Sequence, residues 1–380
     1  MIRNDTLFFV GFIPYLIHEM WKTTMFSRYI HGTKEMLFSF FCLGLMLLKV
    51  MLYDHFTVRQ LVFSVLMLAV GALTYWGTGN ILYFSLMVVV IASKDVDFDK
   101  IVSVWLVVVI TIMFLAFVAS QLNIIPNLRY VALDFFKRKK IIRDSFGIIY
   151  PTDCAAHVFF CLLSLFYLRR NYLKWYDFVS GLIAGILVYY CCKAKLDALS
   201  IFLTTVLFFI AYIFKHNKLW EKIWSVIGPV ITPIACAFMI ALTYAYKPEG
   251  VLERLNNIIS RRLSYGKAGI DEYGIPIWGQ KLKLIGHGGT TEEIHYHYNF
   301  LDVSYVNILV TSGIAFLSTF MIIYFIIAYI HRKKTFLLCA LSMVAFNCAI
   351  AHHMTAIEYN VFTLALFATV AGKEYEDKII

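Results

Sequence analysis

The chain has 380 residues, of which 61% are apolar or aromatic and only 15% charged, against an apolar share of about 45–50% in soluble domains. No soluble core hides that excess, so a soluble enzyme, a nucleic-acid-binding domain and a disordered chain are excluded. The formal charge is +10, from 34 basic and 24 acidic residues; in a chain that crosses a membrane, its distribution among loops is more informative than its sum.

In chain order, apolar runs predict helices near 7–20, 36–53, 60–76, 80–93, 101–120, 152–168, 176–192, 198–214, 223–246, 304–330, 335–351 and 359–372. A crossing of the ~30 Å hydrocarbon layer takes about 20 residues. The runs at 7–20 and 80–93 are short for that, so ten to twelve spans are expected. A closed barrel would need alternating ten-residue segments, which the sequence lacks, and the expected fold class is an all-α polytopic membrane protein. Met1 to Thr6 carries Arg3 as its only basic residue, and no small-residue cleavage site follows, so no cleaved leader is expected. The eight cysteines lie in or beside apolar runs and are expected to be buried thiols rather than disulfides or metal ligands.

Several short loops are basic: Arg169, Arg170 and Lys174; Lys215, Lys218 and Lys222; Arg332, Lys333 and Lys334. The positive-inside rule makes these cytoplasmic and puts both termini inside. Two long segments, 121–151 and 247–303, then face outward. The first carries Lys137, Arg138, Lys139 and Lys140, readable as a headgroup-facing cluster or as an electrostatic funnel for an anionic lipid-linked substrate.

The second begins with KPEGVLERLNNIISRRLSYG, and its periodicity predicts one interfacial amphipathic helix over 249–264. Val251, Leu252, Leu255, Ile258, Ile259 and Leu263 share a stripe, and Arg262 falls about 20° from Leu255, within it. A guanidinium aimed at an apolar surface either snorkels to the headgroups or meets an anion, and its planar fork suits phosphate oxygens. Farther on, GHGGTTEEIHYHYNFLDVSY gathers titratable groups at the membrane surface. His295 and His297 could share a face, but two imidazoles without a matching cysteine or carboxylate are weak evidence for a metal, and none is expected. Asp302 stands at the entrance of the next helix, where it either caps backbone amides or serves chemistry.

Four short motifs over 143–360 carry a resemblance. They are RDSFGIIYPTDCAAH (143–157), CKAKLDAL (192–199), LNNIISRRLSYGKAGIDEYGIPIWGQ (255–280) and LDVSYVNILVTSGI (301–314). Together they are similar to the Wzy-type polysaccharide polymerases of the O-antigen polymerase and ligase superfamily. Arg143 and Arg262 match the family's arginines, while Lys195 stands where the family usually has arginine. Asp302, Ser304 and Tyr305 match the aspartate-asparagine-serine-tyrosine-leucine signature, with Val303 in place of the asparagine. The related ligases commonly have histidine at the aspartate's position. Residues 1–120 contribute only general hydropathy.

The resemblance implies a GT-C-like membrane glycosyltransferase of the bacterial cytoplasmic membrane that extends a glycan carried on undecaprenyl diphosphate, with no cofactor. The implied partners are the undecaprenyl-diphosphate-linked oligosaccharide, membrane lipids, a flippase and a chain-length regulator, and no nucleic acid. On this reading Arg143, Lys195 and Arg262 receive the departing diphosphate. Asp302 is the base, with His297 as runner-up. Trp278, Tyr296, Tyr298 and Tyr305 are placed to stack on sugar. His352, His353 and Glu358 either line the acceptor site or terminate helices. The alternatives are a ligase of the same superfamily and a flippase or transporter of the lipid-linked unit, although ionisable residues gather at one surface and no repeated halves are evident.

Overall fold

A computed structural model describes residues 4–29, 33–134, 139–291 and 298–370, which are mostly helical. Among the described residues, eight helices are long and apolar enough to cross a membrane, which makes this a multi-pass membrane protein by length and composition. They are α2 (Thr33–Tyr53), α3 (Val58–Thr78), α5 (Phe98–Gln121), α6 (Pro151–Leu168), α7 (Trp175–Leu187, prolonged by a π turn to Cys192), α8 (Lys195–Ile213), α9 (Lys218–Ala245) and α13 (Gly313–Ile330).

The expected ten to twelve falls to eight for a physical reason: a buried core segment and a lipid-spanning one have the same composition. α1 (Asn4–Lys22) carries Asp5, Glu19 and Lys22. α4 (Leu82–Ala92) and α14 (Thr335–Cys348) are too short, and most of their side chains are covered by neighbouring helices. The apolar run at 359–372 is not a spanning helix in its described part. It forms a buried 3-10 turn, Val361–Leu366, and then a parallel bridge from Thr369 to Asp97. Such irregular backbone is tolerated at membrane depth only when protein encloses it. Asn360 does part of that enclosing, donating to Tyr324 Oη at 2.5 Å and to the Met354 carbonyl at 2.8 Å.

The helices agree with the all-α expectation, and outside them lies one small β element. Residues 129–144 form an antiparallel hairpin, β1 (Arg129–Asp134) with β2 (Lys139–Asp144), in which Tyr130 pairs with Arg143. The period of two turns Tyr130 and Arg143 toward the helices, while Val131 and Ile142 stay exposed. The Tyr130 hydroxyl donates to the Ile149 carbonyl at 2.7 Å, and its ring packs edge-on against Tyr150. Gly147 makes the turn from hairpin to α6. Its φ is +81°, and a Cβ there would lie 2.4 Å from the Ala116 carbonyl oxygen. Pro151 then opens α6 at its first turn.

The segment at 249–264 is two helices, not one: α10 (Gly250–Ile258) and α11 (Arg262–Tyr273). Ser260 and Arg261 between them are left-handed. Asn256 causes the break, because its side-chain oxygen accepts from the amides of Leu263 and Ser264, both at 3.1 Å, and so caps the second helix from the first. The helical-wheel phase relating Arg262 to Leu255 ends there.

Alternating helix directions collect the helix ends on two faces. On one, backbone bonds join the end of α1 to the hairpin exit (Met25 N to Gly147 O, 2.8 Å), and the start of α12 (Ser304–Thr311) to the end of α14 (Ser304 N to Ala351 O, 3.1 Å). On the opposite face, Lys49 of α2 reaches the Lys94 carbonyl beyond α4, and Arg170 beyond α6 reaches Asp99 of α5.

Candidate active site

The first face holds most of the residues singled out in the sequence. Arg143 leaves β2 toward the end of the π turn, donating from Nε to the Cys192 carbonyl at 3.1 Å and from a terminal nitrogen to Tyr150 Oη at 3.4 Å, with its guanidinium 5.3 Å from the Tyr150 ring. Arg262, first residue of α11, donates from Nε to the Ile350 carbonyl and from Nη1 to the Ile259 carbonyl at 3.0 Å. Both guanidiniums are therefore held by main-chain oxygens at element ends. Among the described residues, no carboxylate lies within ion-pair distance of either.

Carboxylates do surround them at longer range. Asp197, buried in the first turn of α8, is within electrostatic reach of Arg262 and Arg143. Asp153, buried in the first turn of α6, is within reach of Asp197, Asp302 and Arg143. Asp302 is half-buried, and its Oδ2 accepts from the Tyr298 hydroxyl at 3.2 Å. It does not cap: α12 starts at Ser304, its cap position is Val303, and no side chain bonds the first amides there. Burial, reinforced by the Asp302 carboxylate, pushes the Tyr298 hydroxyl well above the ordinary phenol range. That keeps it a hydrogen-bond donor to Asp302. Tyr150 is likewise raised by burial.

Beside this cluster lies a cavity of about 490 Å³, lined by Lys22, Asp153, Asn307, His352, His353 and Glu358 among others. That is within the ~300–1,000 Å³ of small-molecule sites. The histidines are fixed by stacking: His157 and His353 sandwich the Tyr359 ring at 3.9 Å on either side, and His352 lies 4.1 Å from His353. Burial lowers His352 to about 4 and holds His353 well below the imidazole range, so both are neutral near pH 7. Glu358 is pushed up to about 8 by burial and by the nearby Glu19 carboxylate.

Arg143, Arg262 and Asp302 thus come to one face, with His353 in the adjoining cavity wall. Lys195 is exposed at the start of α8 on the same face, where the buried ionisable group is Asp197. Two of the expected residues take other positions. Tyr305 is fully buried with its hydroxyl on the Ala345 carbonyl at 2.9 Å, so it is a core residue and cannot stack on a sugar. Trp278 is partly exposed, and its carbonyl packs against Gly77 at the end of α3 rather than in the cavity. His297, His295 and Tyr296 lie outside the described residues, as do Lys137 and Arg138. Asp153 and Asp197 were missed although both sit inside motifs quoted above; a carboxylate within an apolar run was the signal that would have found them. Comparison with family models, curated proteins and solved structures finds no match for this chain.

Proposed function

We propose that this protein is a membrane glycosyltransferase that polymerises undecaprenyl-diphosphate-linked oligosaccharide repeat units, the activity implied by the Wzy-type resemblance. The observation that carries this reading is the pair Arg143 and Arg262. Each is anchored by carbonyl oxygens and, among the described residues, has no carboxylate partner at contact distance, so its charge is available to an anion beside Asp302. A lipid diphosphate is such an anion, and it gains negative charge as it departs. Fixed guanidiniums therefore favour the transition state over the ground state.

In the proposed reaction a sugar hydroxyl of the incoming unit attacks the anomeric carbon of the growing glycan. The carbon–oxygen bond to the diphosphate breaks, and undecaprenyl diphosphate leaves with the electron pair. The hydroxyl proton passes to the Asp302 carboxylate, which the Tyr298 hydroxyl orients. The cavity beside the cluster, with Asn307 and Gln280 in its wall, suits the polar acceptor glycan. The face carrying the site is the extracytoplasmic one on this reading, opposite the basic loops at Arg169–Arg170 and Arg332–Lys334.

The test is reconstitution of purified protein with a synthetic lipid-linked repeat unit. A ladder of glycans on lipid is the expected product. Transfer of finished polymer to a different acceptor would indicate the ligase, and movement of the lipid across vesicles without any new bond would indicate a transporter. Either result overturns the polymerase.

A further inference from the structure

Asp153, His352 and His353 gather in the cavity wall, the first and last buried and His352 partly exposed. Asp153 is 7% exposed and His353 3% exposed, and their nearest approach, Nε2 to Oδ1, is 3.7 Å, too long for a hydrogen bond. Among the described residues none of the three side chains has a hydrogen bond, yet one donor atom from each falls within 4.8 Å of the others.

We propose that Asp153, His352 and His353 bind one divalent transition-metal ion of the zinc class in the cavity wall. Bonds of about 2.0–2.2 Å at tetrahedral angles put ligand atoms about 3.3–3.6 Å apart. The 3.7 Å between His353 and Asp153 is close to that, and the other ligand atoms, within 4.8 Å of one another, reach it by side-chain rotation. Two imidazoles and one carboxylate select zinc, cobalt or iron over magnesium or calcium, which prefer all-oxygen shells. Three protein ligands with the remaining positions open to a cavity is the arrangement of an exchangeable site rather than a closed structural one.

The Tyr359 ring fixes the plane of His353, and His157 braces Tyr359 from the other side while its own Nε2 meets Thr23 Oγ1 at 3.0 Å. Arg262 opposes a cation at the histidines, and Asp302, within reach of His352, offsets it.

This site rests on ligand geometry and not on the polymerase reading, so its test needs no substrate. Full-length protein with any affinity tag removed would be stripped by chelator and titrated with Co²⁺, then Zn²⁺. One equivalent per chain is expected, with intense visible d–d absorption from a four- or five-coordinate cobalt that zinc displaces, and a rise in Tm on adding zinc. Asp153→Asn and His353→Gln should each weaken binding at least about tenfold, by analogy with the loss seen when outer-shell partners alone are removed. Binding below about a tenth of an equivalent, a six-coordinate oxygen-type spectrum, or undiminished binding by both variants would overturn the site. Should either variant fail to purify as a monodisperse species, the wild-type stoichiometry and spectrum decide.

Discussion

At the two faces of the helical bundle, two sets of cations are held in different ways. On one, charge is closed: Lys49 meets Asp54 at 2.6 Å with both side chains fully buried, Arg170 meets Asp99 at 2.7 Å, and Arg169 meets Asp177 at 2.6 Å. On the other, Arg143 and Arg262 rest on carbonyl oxygens, and the carboxylates nearby stand at longer range. A carbonyl fixes a guanidinium without neutralising it. The first arrangement suits a ground state that must not change, and the second suits a group waiting for an anion.

Substitutions on both faces sharpen or break that contrast, the largest effect first. Asp302→Asn should lower chain extension by about 10²–10⁴-fold while leaving membrane insertion intact; near-normal polymer from this variant would remove Asp302 from the chemistry. Arg262→Ala should cost about 10²–10³-fold in rate, and Arg262→Lys should recover little because a point charge replaces a planar fork. Full activity of the lysine variant would argue against bidentate phosphate contact.

On the closed face, Lys49→Met should destabilise the fold by about 3–5 kcal/mol by stranding the buried Asp54 carboxylate, and Asp54→Leu added to it should restore most of the loss. Thermal melts in detergent would read both, and a single variant as stable as the parent would show that the pair is not closed. Tyr305→Phe, which only removes the bond to the Ala345 carbonyl, should cost about 1 kcal/mol and leave glycan synthesis unchanged.

Glu358 gives a pH test of the cavity. Its carboxyl, raised to about 8 in the folded protein, starts from about 4.3 in an unfolded chain. The native state therefore holds the proton more tightly. The resulting stabilisation is complete below the unfolded value and is lost as pH rises through about 8. Glu358→Gln should flatten the fall in Tm over that window, and an unchanged profile between about pH 4 and 8 would place Glu358 in a wetter setting than the cavity wall.

How legible this was varies by residue. Arg262 was found by a helical-wheel argument whose premise fails, since Asn256 breaks the helix before reaching it. The residue still turns inward, because α11 restarts there beside Leu263, which is fully buried. Tyr305 misled for the opposite reason. Its position in a motif at a helix entrance says nothing about whether the ring faces the cavity or the core. The hairpin at 129–144 was hidden in a segment read only for its charge.

Composition and run length by themselves determined that this chain is helical and crosses a membrane many times, because backbone amides in hydrocarbon are satisfied only in helices or closed barrels and the alternating segments of a barrel are absent. They also determined which short segments carry the ionisable groups. Only the tertiary structure decided which apolar runs are lipid-facing and which are core. It alone brought Asp153, Asp197 and His353 together from three separate segments. The physical reason is that burial looks the same in sequence whether lipid or protein does the covering, whereas convergence of side chains far apart in the chain depends on how the helices pack.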